Sequence, residues 1–149
     1  MTTAGDGLSW RMVCLLASSA AHLGFQATVH AVVYPALADT PTAQWAAAHA
    51  AHSRRIAPLV GVVYAPLVAS TVAVARRDGA AAAWAAAGHS GAVITTLMAA
   101  APTHRALAGG RSDGLLVWLR RVDAARVLCA AAGFVGSVRA ARAAGGKSA

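Results

Sequence analysis

Three stretches of this chain carry no formal charge for as long as a lipid bilayer is thick. Met12 to Ala38 runs 27 residues without Asp, Glu, Lys or Arg, Ile56 to Ala75 runs 20, and Gly79 to His104 runs 26. A helix crossing a hydrocarbon core of about 30 Å needs roughly 20 mostly apolar residues. A fourth stretch, Gly114 to Val138, is less clean. It holds Arg120, Arg121, Asp123 and Arg126 and is uncharged only over the 12 residues from Val127 to Val138. A run that short cannot span alone, so the reading is one helix from about Ser112 to Arg142, polar on one side of its first half. The expected fold is all-α: a four-helix transmembrane bundle forming a single domain over residues 1–149. Its spans are placed near 11–37, 42–75, 79–103 and 112–142.

Composition agrees with that reading. The chain is 58% hydrophobic and 12% charged, against about 45–50% and about 25% in an average soluble domain. A soluble four-helix bundle is disfavoured, because three such runs would be hard to keep in water. Disorder is excluded, since disordered chains are polar and highly charged. Two cysteines, Cys14 and Cys129, do not make a disulfide scaffold, and both are read as packing residues. The net charge of +8 would ordinarily raise nucleic acid as a partner. Here too little of the chain can be solvated, and basic residues flanking apolar spans meet anionic headgroups or set topology. The expected partners are the lipid bilayer and a hydrophobic small molecule, with no nucleic acid; self-association as a homo-oligomer is left open.

The breaks are short. Tyr34-Pro35 and Asp39-Thr40-Pro41 close the first helix; Thr40 is read as the N-cap of the second and Pro41 as part of its first turn. Arg76-Arg77-Asp78-Gly79 and the stretch from Pro102 to Ser112 separate the later helices. Pro58 and Pro66 are expected to kink the second helix. Trp10, Trp45, Trp84 and Trp118 each fall near a helix start, where indoles favour the headgroup level. The N-terminal apolar run continues past Ala17-Ser18-Ser19-Ala20, so it reads as a retained helix, not a signal peptide. Gly61, Gly88, Gly91, Gly133 and Gly136 are expected where helices approach closely. Arg11, Arg76, Arg77, Arg139, Arg142 and Lys147 fall on one side; Arg54, Arg55, Arg105 and Arg111 fall on the other. The balance is nearly even. The expectation is a plasma-membrane protein with both termini cytoplasmic.

Alternating spans bring the unusual residues to one end. His30 and Tyr34 end the first helix, and His49, His52, Arg54 and Arg55 begin the second. His104 and Arg105 end the third, and Asp123 and Arg126 lie in the first half of the fourth. Polar groups at membrane depth are costly and usually face a bundle interior or cavity. Helical spacing aligns His22, Gln26, His30 and Tyr34 on one face, and Trp45, His49, His52 and Arg55 on another. His22 and His89 lie deeper and are placed to meet, most simply as satisfied core groups.

Two chemistries fit such a site. The first is metal or haem ligation by His30, His49, His52 and His104, with copper, zinc or haem as the cofactor. With five acids in all, a carboxylate-rich di-iron site is excluded. The second needs no cofactor. His30 or His52 abstracts a proton from an acidic carbon or phenol, Arg55, Arg121 or Arg126 stabilises the anion, Tyr34 donates a hydrogen bond, and Asp123 with Arg126 reads equally as a catalytic pair. An electron-rich anion of this kind reacts directly with dioxygen. Against both stands a plain structural reading: histidines bonded to backbone or water, and Asp123 with Arg126 as an ion pair.

Phe25-Gln26-Ala27-Thr28-Val29-His30, then Tyr34-Pro35-Ala36-Leu37, then Trp45 and Arg55-x-x-Pro58, resemble small four-helix membrane proteins of the anthrone-oxygenase-like family. The resemblance covers about the first third of the chain. It implies a compact membrane protein, in some members a cofactor-independent oxygenase of aromatic polyketides. The histidine content at one face departs from that pattern, so no catalytic residue is carried over. The functional expectation is a membrane oxidoreductase or oxygenase acting on an aromatic or quinone-like substrate. The alternatives are a non-enzymatic haem- or metal-binding subunit, and an oligomeric small transporter.

Overall fold

The computed structural model describes residues 8–146, so Asp6 and Lys147 lie outside the described residues. Among these the chain is all-helical, with no strand. It forms four rods: α1 (Trp10–Ala38), α2 (Thr42–Ala80), α3 (residues 81–108) and α4 (Asp113–Gly145). Three of them, α1, α2 and α4, are long and apolar enough to cross a membrane. The third is not among them, although the sequence marked it as clean and the fourth as doubtful. Gly88, His89, Ser90, Gly91, Thr95 and Thr96 dilute the apolar residues of α3. The charges of α4 are confined to its ends and first half, leaving a sufficiently apolar window.

The joints are set by a few residues. Helical backbone runs unbroken from α2 into α3 except at Gly79, whose φ of 28° lies where only glycine is comfortable. Pro58 and Pro66 do not break the helix that contains them; both are exposed, so their rings face outward. Thr40 is not a cap. Its hydroxyl turns back to Ala36 O at 3.4 Å, while Pro41 is extended (ψ 146°) ahead of a 3-10 turn, Thr42–Gln44. Ser112 does cap α4, its Oγ accepting from Leu115 N at 3.4 Å. Arg111 binds the preceding chain to that cap: it pairs with Asp113 at 2.8 Å and donates to the carbonyls of Ala38 and Thr40.

Two prolines act where the sequence marked only a helix end. Pro35 follows a π-helical turn, Val29–Val33, and Pro102 follows another, Thr96–Ala100. A helical proline has no N–H and its ring presses on the carbonyl four residues back. That residue is Ala31 for Pro35 and Met98 for Pro102, each in the middle of its π turn. The wider turn absorbs the clash, and Tyr34 N–H and Ala101 N–H donate five residues back, to Val29 O and Thr96 O.

Apolar side chains gather at the two ends. One cluster holds Tyr34, Leu37, Trp45, Leu107, Leu116 and Leu119; the other holds Met12, Leu15, Val74, Ala82, Ala140 and Ala141. Between them the interior is polar, with Ser19, His22, Gln26, Asp123 and Ser137 all fully buried. Close approach of α3 and α4 needs glycine at Gly88, Gly133 and Gly136: a Cβ on Gly136 would stand 2.4 Å from Ala85 N. Gly61 departs from expectation, since it is exposed and an added Cβ would meet nothing within 4 Å.

Candidate functional site

The residues singled out at one end of the chain resolve into two groups. The first is a run of polar contacts across all four rods. Asp123, fully buried on α4, pairs with Arg126 at 3.1 Å one turn along and with His30 Nδ1 of α1 at 2.9 Å. Arg126 Nη2 donates to Gln26 Oε1 at 2.9 Å, and Gln26 Nε2 donates to Tyr64 OH at 3.1 Å. Tyr64 OH in turn contacts Thr96 Oγ1 at 3.0 Å, whose hydroxyl donates to Ala92 O. A buried cation is tolerable only with such partners. One donor is left over: Arg126 Nε–H is buried without a hydrogen-bond partner.

The second group is a stack of rings. Trp45 lies on His49 (centroids 5.2 Å), His49 on His104 (5.5 Å), and His104 on His52 (5.4 Å), all near parallel. Tyr34 OH is 3.0 Å from His104 Nε2, and His104 Nδ1 is 3.3 Å from His49 Nε2. Both nitrogens of His104 are therefore engaged, whereas His52 Nε2 is buried with no partner. Trp45 anchors the stack by donating Nε1–H to Leu107 O at 2.9 Å. It is buried, unlike Trp10, Trp84 and Trp118, which are exposed as headgroup-level indoles would be.

The expected stripes are modified accordingly. His22, Gln26 and Tyr34 are buried, but His30 turns outward, its side chain 42% exposed. The π turn at Val29–Val33 adds a residue to the turn, so burial passes from Val29 to Tyr34, five positions on. His30 consequently joins Asp123 and not the ring stack. Arg55 is exposed and among the described residues makes no hydrogen bond or ion pair, so it is not on the cluster's face. Arg120 and Arg121 are exposed as well. Among the described residues no group of three or more His, Cys, Asp or Glu is arranged to hold a metal ion. The proposed set His30, His49, His52 and His104 is split by the His30–Asp123 pair, and its remaining rings stack face to face.

The two groups meet at a cavity of about 340 Å³. Its wall is mostly apolar (Phe25, Ile56, Val60, Leu97), with Tyr34, Ser53, Thr96, His104 and Arg126 as its polar members. Both π turns border it through Val29, Tyr34, Thr96 and Ala100. Helical spacing also put Thr96 on one stripe with His89 and His104, but the link from Gln26 to Arg126 and the role of Tyr64 were not anticipated. Tyr64 stands 12 residues beyond His52 on the same helix, and no local spacing ties it to Gln26.

The deeper histidines form a separate, closed unit. His22 and His89 meet edge to face at 6.1 Å, and Tyr64 meets His22 likewise at 4.7 Å. His89 Nε2 lies 2.9 Å from Ser19 Oγ and 3.3 Å from Ser137 Oγ, with the two serines 2.9 Å apart. Neither nitrogen of His22 has a partner.

No protein-family model, curated protein or solved structure matches this chain.

Proposed function

We propose that the protein is a four-span integral membrane oxidoreductase or oxygenase that binds an aromatic or quinone-like molecule in the cavity walled by Tyr34, His104 and Arg126. The observation that carries this is the pairing, on one apolar cavity, of a hydrogen-bonded Tyr34–His104 couple with a buried cation whose Nε–H is unspent. An apolar pocket with a few convergent polar groups is the usual form of a small-molecule site. In the bilayer, α3 is the fourth span, sheltered by its contacts with α1, α2 and α4. Four spans put both termini on one side; with that side cytoplasmic, the site opens toward the outer face. The first-third resemblance to anthrone-oxygenase-like proteins points to the same chemistry.

The reaction follows from the residues. A phenol or hydroquinone seated against Tyr34 loses a proton to the Tyr34–His104 couple. Arg126 faces the resulting anion and stabilises it. For a hydroquinone, two electrons then pass to dioxygen and both hydroxyl protons leave, giving quinone and hydrogen peroxide.

The test is dioxygen uptake by the detergent-purified protein with a set of hydrophobic phenols and hydroquinones. Turnover is expected, and His104→Ala is expected to lower it by about 10²–10⁴-fold with the melting temperature retained. No uptake with any of them, or uptake indifferent to His104→Ala, overturns the proposal. A stoichiometric metal or a haem absorption band that disappears in His52→Ala would overturn it in favour of a ligand role for the histidines.

A further inference from the structure

The cavity at Tyr34 and His104 is one chamber of a longer groove between α2 and α3. Toward the near end it meets a cavity of about 370 Å³ through Ser53 and His104. In the other direction it continues through Val60, Thr96 and Leu97 into one of about 500 Å³. Val68 and Val93 join that to a last one of about 230 Å³, ending at Val72 and Ser90. From Ser53 to Val72 the groove follows 19 residues of α2, roughly 28 Å at about 1.5 Å per residue.

That length and lining select an occupant. Ordinary acyl chains reach across one leaflet, about half of a hydrocarbon core of about 30 Å. The groove runs nearly the full thickness, past both leaflets' chain ends. Beyond the head chamber its walls are mostly small or branched apolar residues (Gly61, Ala65, Val68, Ala69, Val93), interrupted by Tyr64 and Thr96 in the middle chamber and by Thr71, His89 and Ser90 in the last, while the charged group, Arg126, lies in the head chamber. The protein leaves this side uncovered: only 17% of the most apolar stretch of α2 is buried, against 39% for α1 and for α4. Building on the function proposed above, we infer that the groove holds the single long polyprenyl tail of a lipid whose quinone-like head lies against Tyr34 and His104.

Gly61 supplies the test, because it lines the middle of the groove yet has open space where a side chain would go. Gly61→Phe would block the tail without pressing on the fold. Gly24→Phe is the control, since Gly24 is equally open but lies on α1 outside the groove. Binding is measured in nanodiscs of defined phospholipid for a long-tailed polyprenyl quinone and for the same quinone without its tail. The native chain is expected to prefer the long tail. Gly61→Phe is expected to cut that preference by about tenfold or more, as the apolar contacts of the distal tail are lost, and Gly24→Phe to keep it. Equal affinity for the two quinones, or an unchanged preference in Gly61→Phe, overturns the inference. So does a dimer that Gly61→Phe splits while the tail makes no difference, which would make a second copy the occupant. Failure of the site itself reads differently: the tail-less quinone would then bind His104→Ala and the native chain alike.

Discussion

His104 and His89 lie on the same helix, 15 residues apart, and the halves of the molecule around them differ. Around His89 α3 and α4 close on each other. Gly133 yields so completely that a Cβ there would stand 2.4 Å from the imidazole Nδ1, and Ser19 and Ser137 contact Nε2. Around His104 the rods part, Tyr34 and His49 take the ring nitrogens, and the ring borders a cavity. The same side chain is held between serines and a glycine in one half, with only one edge on the last chamber of the groove, and borders the proposed head chamber in the other. What separates them is the neighbours: small residues that let α3 and α4 touch at one end, and proline-driven π turns at the other.

Changes that break this contrast should rank by what they leave buried. Asp123→Asn is expected to be the most severe, because it leaves Arg126 inside without its counter-charge. A loss of about 3–5 kcal/mol, read by chemical denaturation in detergent, is the expected result; a variant as stable as the native chain would show that Arg126 reaches water. Gly136→Val forces a side chain against the Ala85 backbone, and overpacking of that kind costs about 1–3 kcal/mol. It should lower the melting temperature and leave quinone affinity, extrapolated to the folded fraction, unchanged. His89→Ala should lower the melting temperature and leave the affinity for the tail-less quinone unchanged, the reverse of His104→Ala, and a loss of that affinity with no loss of stability would erase the distinction between the halves. Trp45→Phe removes the Nε1–H bond to Leu107 O, worth about 1 kcal/mol, and should loosen the ring stack enough to weaken binding. His30→Gln is the mildest, below about 1 kcal/mol, since the side chain is 42% exposed and an amide can still donate to Asp123.

The sequence carried the coarse architecture because charge-free runs are long, unbroken and local. The same holds for the end-to-end grouping of His30, Tyr34, His49, His52, His104, Asp123 and Arg126, which follows once consecutive helices are taken as antiparallel. Helical spacing failed at His30, where the π turn shifts the register, and at Arg55, three residues after His52, which lies off the buried face. It placed Gln26 on the buried face but was silent on Tyr64 and on their contact, which joins residues 38 apart. Pro58 and Pro66 lie within unbroken, exposed helix, and the prolines that coincide with a change of helix type are Pro35 and Pro102, which the sequence marked only as helix ends. Freedom from charge ranked α3 above α4, whereas the glycine, serine, threonine and histidine of α3 leave it the less apolar of the two.

The matched π turns also bear on how this chain can change over time. A helix turns about 100° per residue, so one residue gained or lost within Val29–Val33 or Thr96–Ala100 would re-aim everything beyond it by that angle. The stretch before each turn would keep its partners. Each of these rods is thus two segments joined at a fixed angular offset: substitutions that tune the closed end do not swing Tyr34 or His104, and the site end can be reshaped without disturbing the closed one.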